Sequence, residues 1–168
     1  NKARVAIGDL LGSNEEYREF ECLVHGSPKD DVFNIDSKIG WVAGQPEIMK
    51  AGKRGKFART KFEVLERFAG MTMLRCVPDT DRKHQIRAHL NYVRLSPVGD
   101  SSYGGKLLML SRLKKNYRPR RDGREKPLLD RTALHYKKLQ FDHPFSGEKV
   151  TIESELPCLL YTSDAADE

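Results

Sequence analysis

Apolar residues alternate with polar ones over several short stretches of the chain, and keep helical spacing over only a few. Phe20, Cys22 and Val24 alternate with Glu21, Leu23 and His25, and Gly26-Ser27-Pro28 closes the run as a turn, so residues 18–25 read as a strand. Val32 to Ile35 reads as a short second strand ahead of Gly40. Thr60, Phe62, Val64 and Glu66 alternate with Lys61, Glu63, Leu65 and Arg67, and Met71 to Val77 continues past Ala69-Gly70, which predicts a hairpin. A second hairpin is predicted where Leu134 to Asp142 alternates, turns at His143-Pro144-Phe145-Ser146-Gly147 and returns over Lys149 to Glu153. Between the hairpins the period changes. Ile86, Leu90 and Val93 share one helical face, with Arg87 and Asn91 on the adjacent stripe. Thr80 or Asp81 stands where a side chain can cap that helix. Strands outnumber helices and join through hairpins, so the expected class is α+β with a largely antiparallel sheet.

Other stretches are less regular. Residues 2–18 carry a helical period broken by Gly8 and Gly12, and residues 44–55, with glycines and Pro46, read as a loop. Leu107, Leu108, Leu110, Leu113 and Tyr117 predict a short amphipathic helix inside what reads as an insertion at about 105–131. Cys158 to Glu168 departs from the preceding pattern and resembles a translated adapter sequence, which puts the expected end of the domain at Pro157.

The 168 residues suit one domain with its own core. Cys22, Cys76 and Cys158 are odd in number and lack CxxC spacing, which disfavours a disulfide framework or a zinc site. With no membrane-length apolar run and no signal peptide at its start, the chain is expected to be soluble and cytoplasmic. Its formal charge is +6, rising to +9 without Asp164, Asp167 and Glu168 of the tail. Such basicity favours a polyanionic partner, RNA above an acidic protein. Two basic stretches stand out. Lys50, Lys53, Arg54, Lys56, Arg59 and Lys61 form one, and Arg112 to Lys126, with eight basic and two acidic residues, forms the other. In the second, Tyr117 lies close to Arg118, Arg120 and Arg121, a mixture suited to stacking on bases and contacting phosphate.

Residues 80–90, Thr-Asp-Arg-Lys-His-Gln-Ile-Arg-Ala-His-Leu, concentrate arginine and histidine at one helix start, and Ser96-Pro97-Val98-Gly99-Asp100-Ser101-Ser102-Tyr103-Gly104 is a turn expected to fold back over that helix. Arg82, His84-Gln85-Ile86-Arg87, His89-Leu90, Pro97-Val98-Gly99-Asp100 and Tyr103-Gly104 together resemble the signature of the RluA-type pseudouridine synthases. Arg59 to Leu65, Ala133-Leu134-His135 and His143 to Glu148 extend the resemblance from about residue 17 to Pro157.

The resemblance implies a mixed, largely antiparallel sheet with flanking helices and an RNA cleft. It also implies isomerisation of uridine to pseudouridine in ribosomal or transfer RNA, with no cofactor and no metal. It assigns Arg87 as partner of the family's nucleophilic aspartate, Ile86 as the apolar residue against the base, and Phe20 as the stacking aromatic. Phe20 stands where the family has a tyrosine and Arg18 where it has a lysine, so the position offers no hydroxyl. Arg82 and His84 are expected to support the site and contact RNA with Lys53, Arg54, Lys56, Arg59, Arg118, Arg120 and Arg121. Asp81 and Lys83 replace the family's glycine and threonine. Asp100 is expected to serve the turn by tying it to nearby amides, and His89 to be a hydrogen-bonded helix histidine.

The family's aspartate lies in a His-Arg-Leu-Asp segment, and no histidine here is followed by Arg-Leu-Asp. The chain starts at Asn1 without Met, so the expectation is a fragment with that segment upstream, Arg87 an unpaired cation or an anion site, and little or no activity. The alternative is a non-catalytic RNA-binding domain. His84-x-x-Arg87 also matches the catalytic pair of tyrosine recombinases, with Tyr117 as nucleophile, but the flanking hairpins disfavour that mainly helical class.

Overall fold

The computed structural model describes residues 16–114, 117 and 125–156. Seven strands, β1 (Tyr17–His25), β2 (Val32–Val42), β3 (Gln45–Gly52), β4 (Lys56–Phe68), β5 (Met71–Pro78), β6 (Leu134–Asp142) and β7 (Lys149–Glu153), form one sheet in the order β3-β2-β4-β5-β1-β6-β7. Every pairing between these strands is antiparallel. The class is α+β, and the described sheet is wholly antiparallel rather than mixed. One two-turn helix, α1 (Gln85–Tyr92), crosses a face of the sheet, and a 3-10 turn (Ser101–Tyr103) follows it.

Alternation decides which side chains the helix covers. Cys22, Val24, Phe62, Leu74 and Cys76 are fully buried on one face, and α1 lays Ile86 and Leu90 upon them. Full burial of a leucine stabilises the fold by roughly 1.5–3 kcal/mol relative to exposure. A neighbouring cluster under the same helix joins Ile39, Met49, Ala51, Ala58, Ala88 and Tyr103. Val93, expected on the core face, instead caps the helix end and is 38% exposed.

The structure differs from expectation in four further places. Residues 45–52, expected as loop, form β3, because Met49 and Ala51 bury against α1 and Tyr103. Pro46 is tolerated there since β3 is an edge strand, where a missing donor faces no neighbour. The second strand runs on through Gly40 to Val42, and Gly40 gives the room for this: a Cβ there would lie 3.0 Å from the Arg54 carbonyl oxygen. Thr80 does not cap the helix. Its hydroxyl accepts from the Arg59 amide at 3.1 Å and donates to the Gln85 side-chain oxygen at 2.8 Å, while His84 occupies the cap position in left-handed conformation, φ 55°. Finally, the amphipathic helix shrinks to the single turn α2 (Leu110–Leu113), which buries none of its residues. Residues 2–15, the run 118–124 and the tail 158–168 lie outside the described residues.

Candidate active site

Between β1, the end of β5 and the start of α1 lies a pocket of about 200 Å³. Phe20 enters it from β1 and Ile86 and Arg87 from α1, while Arg18, Arg82 and His84 complete its polar rim. Two distant parts of the sequence thus converge. Phe20 lies on the helix-covered face because it keeps the parity of Cys22 and Val24, and its ring packs on Tyr136 with centroids 4.4 Å apart. Arg18, largely buried, lies 3.4 Å from a Glu16 carboxylate oxygen and 3.1 Å from one of Asp81. Asp81 therefore neutralises a pocket cation from the position where the resemblance has glycine.

The turn after α1 does fold back over it. Arg87 donates through Nε and Nη2 to the two carboxylate oxygens of Asp100, at 2.6 and 2.7 Å, and its guanidinium lies 4.6 Å from the Tyr103 ring centroid. Arg87 is thus a paired cation rather than an unpaired one. Asp100 ties the turn to amides as expected, through its main-chain carbonyl, which accepts from Tyr103 and Gly105 at 3.1 and 2.7 Å, while its side chain is directed to the helix. Its carboxylate is 1% exposed, and the hydrogen bonds from Arg87 to it raise the already high guanidinium pKa against the opposing effect of burial. Gly105 allows this turn to close, since a Cβ there would lie 1.8 Å from the Pro97 carbonyl oxygen.

Tyr103 organises the rest of the rim. Its hydroxyl accepts from the Met49 amide at 2.9 Å and lies 3.1 Å from His84 Nδ1. With that amide donating, the hydroxyl can in turn donate to Nδ1 of a neutral His84, the two roles depending on the histidine tautomer. Burial, then the Arg87 and Lys83 charges, lower the His84 pKa in the same direction. The ring's anchorage offsets the cost of left-handed backbone, about 1–2 kcal/mol. Asn91, on the stripe of Arg87, donates to the Tyr103 carbonyl at 2.9 Å.

Beneath the helix start, Gln85 Nε2 donates to the Arg59 carbonyl and to Thr60 Oγ1, and Thr60 Oγ1 lies 2.9 Å from His89 Nδ1. His89 is fully buried, and burial pushes its pKa down to about 4. It is half satisfied: Nε2 finds no hydrogen-bond partner among the described residues.

The expected RNA-contacting residues divide. Arg82 borders the pocket, its guanidinium tied to the carbonyls of Phe57 and Asp81. Lys53, Arg54 and Lys56 are exposed around the β3–β4 turn, away from the pocket lining. Arg59 alternates with the buried Ala58 and Thr60, so it points from the opposite face, where it pairs with Asp36. Arg118, Arg120 and Arg121 lie outside the described residues. Sequence reasoning gave no role to Tyr103 and did not pair the Asp100 carboxylate with Arg87. The signal for both was the shared stripe of His84, Arg87 and Asn91, which needed a polar partner above it.

Residues 18–92 match the family model described as RNA pseudouridylate synthase. An uncharacterised RNA pseudouridine synthase of Bacillus subtilis (strain 168) is 36% identical over 155 residues, covering 92% of this chain and 45% of that protein. Over these residues the chain is similar to the RNA pseudouridylate synthases. The ribosomal large subunit pseudouridine synthase D of Pseudomonas aeruginosa is 37% identical over 156 residues, covering 93% of this chain and 47% of the relative. The chain thus spans about half the length of these curated relatives. Among solved structures, human RNA pseudouridylate synthase domain containing 1 shares the fold with a TM-score of 0.71 at 23% identity, over 95% of this chain and 64% of that one. Among the described residues no helix is long and apolar enough to cross a membrane, and no group of His, Cys, Asp and Glu is arranged to hold a metal ion.

Proposed function

We propose that this chain forms the arginine-bearing wall of an active site that isomerises uridine to pseudouridine in ribosomal or transfer RNA in the cytoplasm. The observation that carries the reading is the convergence of Phe20, Ile86 and Arg87 on one pocket. The reaction breaks the N-glycosidic bond, turns the uracil and joins its C5 to the ribose, with no net redox change. It needs a carboxylate near C1′ or C6, a base held flat and a positive charge that keeps the carboxylate ionised. Phe20 offers the flat apolar face and Ile86 the wall. Arg87 commits only Nε and Nη2 to Asp100, so its Nη1 edge remains for a second acceptor, and the Asp100 pair and the Tyr103 ring fix where that edge points.

Asp100 is unsuited to attack, being buried with both oxygens engaged. The sequence holds no His-Arg-Leu-Asp segment. That favours, as second reading, RNA binding without turnover by the chain as it stands. The test is tritium release from C5-labelled uridine in RNA, measured for this chain and for the chain joined to a His-Arg-Leu-Asp segment. Release is expected in the joined form, falling by about a hundredfold or more in Arg87→Ala, the scale for removing a preorganised charge partner. Release that survives Arg87→Ala, or none in either form, overturns the assignment.

A further inference from the structure

Trp41 is the chain's single tryptophan, and it is 68% exposed near the end of β2. It keeps the parity of Ile35 and Ile39, which are buried under α1 and Tyr103. The indole therefore lies on the helix-covered face, just beyond the cover. The Lys83 ammonium sits 5.3 Å from its ring centroid, and the same lysine reaches Glu47 at 3.3 Å. Glu47 is 86% exposed, so this ion pair exchanges readily with water or another anion. Lys83 stands between Arg82 and His84, both of which border the pocket. A strip of cation and aromatic thus leads from the pocket mouth to Trp41.

We propose that Trp41 and Lys83 form a stacking platform for an unpaired base of the RNA, one that flanks the uridine held in the pocket. The inference rests on the RNA reading above and deepens it, because it states that the substrate is single-stranded at this point. A base presents a π face to the indole whatever its identity, and its phosphate meets Lys83 in place of Glu47. A duplex keeps its base faces stacked internally and offers the indole nothing. A protein partner fits less well: the exposed neighbours of Trp41 include Gln45, Glu47 and Lys83, which makes an isolated ring among polar groups, not an apolar patch. Phe57, also exposed, does not extend the platform, since it alternates with buried Ala58 and faces the other way.

The lone tryptophan makes its own reporter. The full chain is titrated with an end-labelled single-stranded RNA containing uridine, and with the same strand in a duplex, while anisotropy and tryptophan emission are followed. Binding of the single strand is expected to quench Trp41, and Trp41→Ala to weaken it about tenfold while Trp41→Phe restores most of the affinity. The duplex should bind both forms alike. Matching thermal melts establish that the variants fold, as expected for a side chain mostly in water. Equal affinity of wild type and Trp41→Ala for the single strand, with unchanged emission, overturns the platform and leaves RNA binding intact. Failure of the wild type to bind RNA at low salt overturns the RNA reading and the platform with it.

Discussion

Arg87 with Asp100 and Arg59 with Asp36 are the same chemical pair in two settings. Both are bidentate through Nε and Nη2, at 2.6 and 2.7 Å in the first and 2.9 and 2.8 Å in the second. The side chains of the first pair are 21% and 1% exposed, those of the second 50% and 44%. Water screens the Arg59 pair and can replace either partner, whereas the carboxylate of Asp100 has Arg87 in place of its solvation shell. The covered face of the sheet therefore holds a charge at a fixed point beside the pocket. The outer face carries charge that can be exchanged for phosphate at little cost.

Removing one partner from each pair breaks the comparison most sharply. Asp100→Ala strands a partly buried guanidinium, and its expected cost is about 3–5 kcal/mol in a denaturant titration. Asp36→Ala should leave the unfolding midpoint unchanged within error. If the two variants melt alike, burial is not what distinguishes the pairs. The reciprocal cycle with Arg87→Ala then measures the coupling directly.

The covered face also hides a titratable group, and acid should expose it. His89 has its pKa lowered from 6.5 to about 4 by burial, with only a small opposing effect from Asp36. A lowered folded-state pKa means that the unfolded chain binds the proton first. The contribution is fully present above about pH 6.5 and is lost as pH falls towards 4, amounting to about 3 kcal/mol. Urea midpoints measured across that window should fall in the wild type and stay nearly flat in His89→Gln. A flat wild-type profile would show that His89 charges without cost, through access to water at Nε2.

Much of this architecture was legible in the sequence, for identifiable reasons. Strand alternation at Phe20 to Val24 and Thr60 to Val64 depends on a period of two that burial enforces directly. The convergence of Phe20, Ile86 and Arg87 followed from the family resemblance, and no local pattern in the chain contains it. Residues 45–52 were opaque because β3 is an edge strand with Pro46 and has few large apolar residues; α1 and Tyr103, the latter fifty-four positions beyond Met49, make it a strand worth burying. The Asp100 pair was opaque for the same reason. Its partner is thirteen residues away across a turn closed by Gly105, and no periodicity reports where a turn aims a carboxylate.

The smallest expected effect tests the β3–β4 turn. Lys53, Arg54 and Lys56 are exposed around the β3–β4 turn, where Gly55, at φ +106°, brings its backbone against the Ile39 carbonyl. The turn is thus anchored while its side chains are free, so replacing all three with alanine should leave the thermal midpoint in place. If they meet phosphate, each contributes through counterion release, and the slope of log affinity against log salt for single-stranded RNA should fall by about 0.7 for every phosphate left without its cation. The weakening should be the same for every RNA sequence, because phosphate contacts position a strand without reading it. Trp41→Ala should instead lower affinity with the salt slope nearly unchanged. An unaltered slope in the triple variant would show that the cations of this turn have no part in binding the RNA.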